Sequence, residues 1–241
     1  MKQKRLDEIL IENKFATNKK EAFILVTEGR VFADGRKMIS PAQSVGPEVK
    51  IEIRQEKPYV GRGGYKLAYA LEKFGINIIG KVCADIGSAT GGFTEVLLKN
   101  GAKKVYAIDT ARGKLALKLR EDYRVAVMEG IDARDLQELP EPADIVTIDV
   151  SLITLREILM TVRRLLKVKG TIIALFKPQY ETRDPRMLRR GVVKDSVSRE
   201  KLLHDFLAWT KENSWQVRDS IESPIRGSKG NVEYLLWLHS S

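Results

Sequence analysis

Two periodicities divide the chain. From Lys66 onward, short and nearly unbroken apolar runs alternate with segments whose apolar positions recur every three or four residues. The runs at 82–86, 105–108, 124–127, 145–148 and 171–176 predict strands, and 92–99, 114–120, 132–138 and 155–166 predict helices between them. Strands apolar on both faces belong to a parallel sheet covered on both sides, which sets the α/β class. A helix around Leu67, Ala70, Leu71 and Phe74, closed by Gly75, leads into this pattern; a helix at 198–211 and strands at 215–220 and 232–238 complete it. Residues 1–57 follow another plan. Leu6, Ile9 and Leu10, then Ala22, Phe23, Leu25 and Val26 behind the capping pair Thr17-Asn18, predict two helices, the second stopped at Glu28-Gly29-Arg30. Val31 to Met38 reads as strand, Asp34-Gly35 turn and strand, with a further strand at 49–53. The expected organisation is a small α+β module over 1–57, a linker over 58–65 and an α/β domain over 66–241.

Composition supports buried cores: of 241 residues, 43% are hydrophobic and 31% charged, which argues against wholesale disorder. The net charge of +10 is unevenly spread. It is +3 over 1–57, +2 over 58–80, −2 over 81–162 and +8 over 163–194. Two basic regions around a slightly acidic middle fit a polyanion laid across the protein while the middle holds something else. Cys83 is the single cysteine and His204 and His239 are the two histidines, too few for a disulfide or a zinc site. No apolar stretch approaches the ~20 residues of a membrane span, and the basic N-terminus has no apolar run behind it. A cytoplasmic protein is expected.

Asp85-Ile86-Gly87-Ser88-Ala89-Thr90-Gly91-Gly92-Phe93-Thr94 lies between the first strand of the sheet and a helix, where glycines let backbone approach a ligand. Spacing excludes two phosphate binders. A P-loop needs lysine where Phe93 stands, and the dinucleotide fingerprint needs glycine where Ala89 stands. A cofactor without phosphate remains, and S-adenosylmethionine fits: a carboxylate can pair with its ammonium and another can accept from its ribose. Asp109, closing the next strand, stands where a ribose-binding acid sits in such folds.

Asp149 and Lys177 end two strands at the carboxyl edge, where open α/β sheets bind ligands. Lys66 starts the helix entering the domain, and Glu233 interrupts an apolar strand. Several methyl acceptors fit poorly. Asp149 is followed by Val150-Ser151-Leu152 and not by the Pro-Pro-aromatic run of exocyclic-amine enzymes, and Cys83 lies inside a strand and not at an exposed nucleophile position. A hydroxyl acceptor needs a general base or a cation for the forming alkoxide, and lysine placed beside lysine can supply either.

These residues resemble the TlyA family, described both as haemolysin-like proteins and as rRNA 2′-O-methyltransferases. Arg5-Leu6-Asp7 with Glu28-Gly29-Arg30-Val31-Phe32-Ala33-Asp34-Gly35 resembles a small RNA-binding domain shared with a ribosomal small-subunit protein. Arg62-Gly63-Gly64-Tyr65-Lys66-Leu67, the loop Asp85 to Thr94, and Lys177-Pro178-Gln179-Tyr180-Glu181 resemble the FtsJ-like methyltransferase half. Departures are Asn18-Lys19-Lys20 in place of Ser-Arg, and Gly64-Tyr65 in place of Ala-His. The resemblance implies a Rossmann-like S-adenosylmethionine methyltransferase sheet with a small N-terminal α+β RNA-binding domain. It places the Lys-Asp-Lys-Glu tetrad on Lys66, Asp149, Lys177 and Glu233. It gives as cofactor contacts Asp85, Gly87, Ser88, Gly91, Gly92, Phe93, Asp109 and Asp132.

The function so implied is S-adenosylmethionine-dependent 2′-O-methylation of a ribose, a cytidine's, in ribosomal RNA. Lys177 is then base or alkoxide stabiliser, Asp149 its orienting partner, and Lys66 and Glu233 position the ribose. Expected RNA contacts are Lys4, Arg5, Lys19, Lys20, Arg30, Arg62, Arg183, Arg186, Arg189 and Arg190. Loop 180–195, rich in arginine and with Pro185 and Gly191, is expected to be mobile and to close over the target nucleotide. Rival readings are a cytolysin, whose pore would need a long apolar or strongly amphipathic segment not visible in this sequence, and a non-catalytic RNA-binding or ribosome-assembly factor.

Overall fold

The computed structural model describes residues 3–27, 29–46, 48–54, 58–193 and 195–240; Glu28, named above, and positions 57 and 194 of the expected module and loop lie outside them. The chain divides into two compact units, Met1–Pro58 and Tyr59–Ser241.

In the first unit, β1 (Lys4–Arg5) leads into α1 (Leu6–Glu12), followed by α2 (Lys19–Thr27), β2 (Val31–Ala33), β3 (Arg36–Lys37), β4 (Ser44–Val45) and β5 (Ile51–Ile53). The start of α2 is fixed by its own sequence. Glu21 N–H donates to Asn18 Oδ1, and the Glu21 carboxylate accepts from Thr17 N–H and hydroxyl, both at 2.6 Å. These bonds satisfy helix-end donors reciprocally. Asp34 and Gly35, at φ 47° and 76°, turn β2 into β3. Such a turn needs positive φ at both central residues, which Asp-Gly tolerates. Leu6, Leu10, Ala22, Leu25, Val26 and Val31 form the core beneath.

The second unit opens with α3 (Gly63–Phe74), then β6 (Val82–Ile86), α4 (Gly92–Lys99), β7 (Lys104–Asp109), α5 (Leu117–Arg120), β8 (Val125–Glu129), β9 (Ala143–Ile148), α6 (Leu155–Leu165), β10 (Leu166–Phe176), α7 (Pro178–Glu181), α8 (Ser196–Glu212), β11 (Trp215–Glu222) and β12 (Tyr234–Ser240). Its sheet has the order β11-β12-β10-β9-β6-β7-β8, and β12 runs antiparallel to both neighbours. The alternation along each strand explains the unbroken apolar runs. Cys83, Val105, Ile145 and Ile173 face α3 and α4, while Ala84, Ile108, Ile148 and Ile172 face α6 and α8.

The segment expected as a linker, 58–65, belongs to the second unit from Tyr59 onward. Val60 N–H donates to the buried Glu95 carboxylate at 2.6 Å, Tyr59 and Val60 pack on the α3–α4 core, and α3 starts at Gly63. The helix expected at 114–120 shrinks to α5, because Gly113, Lys114 and Leu115 N–H groups donate to Glu129 and not along a helix. The one expected at 132–138 is a single 3₁₀ turn, Ala133–Asp135, capped by Asp132. Loop 180–195 is anchored where it was expected to be mobile. Leu155 N–H donates to buried Glu181 at 2.7 Å, and Asn231 accepts from Val193 N–H at 3.0 Å and donates to the Gly191 carbonyl at 2.9 Å.

One topological fact positions the site. The chain fills β6, β7 and β8 outward to one edge, then returns to place β9 on the other side of β6. Loops leaving β6 and β9 therefore diverge, and the crevice between them is where α/β sheets bind ligands.

Candidate active site

At the mouth of that crevice Asp149 N–H donates to the Ile86 carbonyl at 2.9 Å, which holds the end of β9 against the end of β6. Gly87, at φ 84°, passes so close that a Cβ there would collide with the Asp149 carbonyl. Two cavities meet here. A cleft of about 440 Å³, within the usual range for small ligands, is lined by Gly87, Ala89, Asp109, Thr110, Ile131 and Asp132, and by residues 149–153. Beside it, a cavity of about 400 Å³ holds Lys66, Asp149, Lys177 and Glu233, with Arg62, Ser151 and Leu152 around the rim. Gly87, Ala89, Asp149, Ser151 and Leu152 border both.

In the first cleft, Asp109 fixes the loop. Its Oδ2 accepts from Ala89 N–H at 2.8 Å and its Oδ1 from Ala111 N–H at 2.7 Å. A carboxylate has about four lone-pair sites, so capacity remains for two hydroxyls of a ribose. The Ser88 hydroxyl is buried without a hydrogen-bond partner among the described residues. Asp132 borders the cleft but is engaged by Arg134, whose guanidinium and main-chain N–H hold its carboxyl below the usual range.

Four further residues expected as cofactor contacts are closely packed in the fold. Asp85 is fully buried and accepts from Thr94 N–H (2.9 Å), Thr94 hydroxyl (2.6 Å) and Thr147 hydroxyl (3.2 Å). Burial above all pushes its carboxyl up to about 7. It ties the start of α4 to β9 and does not line the cleft. A Cβ on Gly91 would strike Leu119 and Leu115, and one on Gly92 would lie 2.9 Å from Gly64 N. Phe93 is 3% exposed, within the α3–α4 core. These glycines permit close approach between backbone and neighbouring elements; of the loop, Gly87 and Ala89 line the cleft.

The second cavity contains two ion pairs. Lys66 Nζ lies 2.5 Å from Glu233 Oε2, and Lys177 Nζ lies 2.6 Å from Asp149 Oδ1. All four come from different elements or their ends: α3, the loop before β12, and the ends of β9 and β10. Each lysine stands beside a carboxylate, and both lysines line the one cavity. Glu181, last in its motif, caps α6 from outside the cavity. Cys83 is buried and its thiol is pushed up to about 12, chiefly by desolvation, so it packs and does not attack.

The basic candidates separate into two groups. Lys4 pairs with Glu12, Arg5 with Asp7 and Arg186 with Asp184, while Arg30 Nε donates to the Arg54 carbonyl at 3.2 Å. Lys19, Lys20, Arg62, Arg183, Arg189 and Arg190 are exposed, with Arg62 also donating to the Arg226 carbonyl. In the sequence, Thr147 and Arg134 went unnoticed, and Thr94 and Ser151 stood only within motifs, without a role. Only Ser151, two residues beyond Asp149, carried a local signal.

The apolar floor, the free lone pairs of Asp109, the orphaned Ser88 hydroxyl and the glycine cradle at Gly87 fit S-adenosylmethionine. The FtsJ-like methyltransferase family matches residues 59–240. Hemolysin A of Brachyspira hyodysenteriae is 36% identical over 96% of this chain and 98% of its own. The 16S/23S rRNA (cytidine-2′-O)-methyltransferase TlyA of Mycobacterium tuberculosis is 36% identical over 98% of this chain and 90% of its own. A solved structure from Streptococcus thermophilus, provisionally termed a hemolysin, shares 34% identity with a TM-score of 0.75, covering 100% of this chain and 90% of that one. With this sheet, this cleft and these relatives, the chain belongs to the FtsJ-like methyltransferases and to the TlyA family, which use S-adenosylmethionine.

Proposed function

We propose that the protein methylates the ribose 2′-hydroxyl of a cytidine in ribosomal RNA. The observation that carries this reading is the pair of lysine–carboxylate contacts around one cavity that opens onto the cofactor cleft. The cofactor supplies a methyl group on a sulfonium. Gly87, Ser88 and Asp109 would hold it, and the protein then has to bring a hydroxyl into line and manage its charge.

Alignment supplies much of the rate of such a displacement, because it replaces a chance encounter by a fixed geometry. Lys66, held by Glu233, has donors to spare for the ribose or its phosphate. Lys177, fixed by Asp149, meets the 2′-oxygen and stabilises the negative charge that develops as the hydroxyl proton passes to solvent water. Each carboxylate acts through its lysine, as an orienting group. The exposed Lys19 and Lys20 on α2 and the exposed arginines at 183, 189 and 190 supply phosphate contacts that fix position without reading sequence. In this reading the first unit is the RNA-recognition module. Among the described residues, no helix is long and apolar enough to cross a membrane.

Incubation of the purified protein with isotope-labelled S-adenosylmethionine and ribosomal subunits tests the reading. Label should appear in rRNA as a nucleotide whose 3′ linkage resists alkaline hydrolysis. Label on a base, or none on rRNA, would overturn it.

A further inference from the structure

An ammonium group has three N–H donors, and in the free protein three oxygens crowd that of Lys177: it hydrogen-bonds two of them and ion-pairs with the third. Its Nζ is 2.6 Å from Asp149 Oδ1, 2.8 Å from the Val150 carbonyl and 3.1 Å from Ser151 Oγ. A ribose 2′-oxygen that accepts a hydrogen bond from this ammonium therefore competes with these three oxygens.

They are not equally replaceable. Asp149 carries the opposite charge and lies closest, so Coulomb attraction holds it. The Val150 carbonyl belongs to backbone pinned by the bond from Asp149 N–H to the Ile86 carbonyl. Ser151 makes the longest bond of the three, is exposed, and swings its hydroxyl about one side-chain torsion. It also borders both the cofactor cleft and the tetrad cavity, where methyl donor and acceptor have to meet. Lys66 is the contrast: Glu233 is its one hydrogen-bond partner among the described residues, so it can take a ribose without giving anything up.

We propose that Ser151 is a positioning residue for Lys177, holding the third N–H aimed at the junction of the two cavities and yielding it to the 2′-oxygen of the incoming ribose. This rests on the 2′-O-methylation reading above. No covalent bond to the serine forms or breaks; one hydrogen-bond acceptor replaces another on Nζ. Without the hydroxyl, the third N–H loses its aim, and fewer bound riboses meet a correctly placed ammonium. The loss falls on the rate after binding, since the serine makes way for the substrate and does not grip it.

Single-turnover methylation of rRNA, at saturating S-adenosylmethionine, compares wild type with Ser151→Ala and Ser151→Thr. Ser151→Ala should lower the rate constant about tenfold, the scale of a small misplacement. Half-saturating RNA concentration and cofactor Kd should remain within about twofold of wild type, and Ser151→Thr, which keeps the hydroxyl, should restore most of the rate. Ser151 is exposed and outside any helix or strand, so neither change burdens folding. A wild-type rate in Ser151→Ala overturns the proposal. So does Ser151→Thr as slow as Ser151→Ala, or a loss confined to cofactor affinity, which would make Ser151 a cofactor contact. A wild type that methylates rRNA elsewhere than at a 2′-oxygen overturns the functional reading itself, and is distinguished by where the label lies.

Discussion

The two sides of the carboxyl edge are built by different means. On the cofactor side, main-chain N–H groups and nearby carboxylates do most of the work. Asp109 organises Ala89 and Ala111, and Glu129 organises residues 113 to 115, across spans of 2 to 20 residues. On the acceptor side, side chains far apart in sequence form the essential pairs. Lys66 and Glu233 are 167 residues apart, and the Lys177–Asp149 pair joins the ends of two adjacent strands. A cofactor can thus be held by a locally specified loop, whereas the reacting hydroxyl is handled by groups that only the completed sheet assembles.

The largest effect should separate the two sides cleanly. Lys177→Met removes the donor facing the 2′-oxygen and should lower kcat for rRNA by about 10²–10³-fold, the usual cost of losing a charge-stabilising donor. Calorimetric cofactor affinity should stay near wild type; a parallel loss of cofactor binding would break the distinction. Asp109→Ala should do the reverse. Hydrogen bonds to charged groups contribute about 1.5–3 kcal/mol, so cofactor Kd should rise about 10–100-fold while RNA affinity holds.

A smaller effect probes the scaffold between the two sides. The Asp85 carboxyl lies near 7 in the folded chain against 3.8 ordinarily, owing first to burial. Between those values the folded chain holds a proton that the unfolded chain has lost. This contribution is full below about pH 4 and is lost as pH rises through 7. Thermal unfolding of wild type should therefore shift downward from pH 5 to 8, and Asp85→Asn should flatten that dependence. Equal slopes in both proteins would place the titration elsewhere.

Much of the architecture is legible in the sequence because strand burial on both faces leaves a plain apolar signature. The five parallel strands and the Asp34-Gly35 hairpin follow from local pattern alone. The roles inside the glycine loop do not. Gly91, Gly92 and Phe93 stand in the same short segment as Gly87, yet they face Leu119, Gly64 and the α3–α4 core, and only three-dimensional packing distinguishes them. Asp85 misleads for a related reason: the threonines that engage it are 9 and 62 residues away. The tetrad came from family resemblance, since no spacing rule brings Glu233 to Lys66. The anchored loop 180–195 depends likewise on Asn231, about 40 residues farther on.

The smallest expected effect concerns that loop. Arg189→Ala with Arg190→Ala should weaken rRNA binding several-fold and reduce the salt slope by up to about two, since each phosphate contact contributes a little under one. Cofactor affinity should not move. An unchanged slope would leave these exposed arginines without a phosphate partner.

The most direct test is a map of ribose methylation across rRNA from cells lacking the protein, complemented with wild type or with Lys177→Met. The account predicts a 2′-O-methylcytidine present with wild type and absent with both the null cells and the Lys177→Met variant. Identical maps in all three, or a mark restored by Lys177→Met, would contradict it.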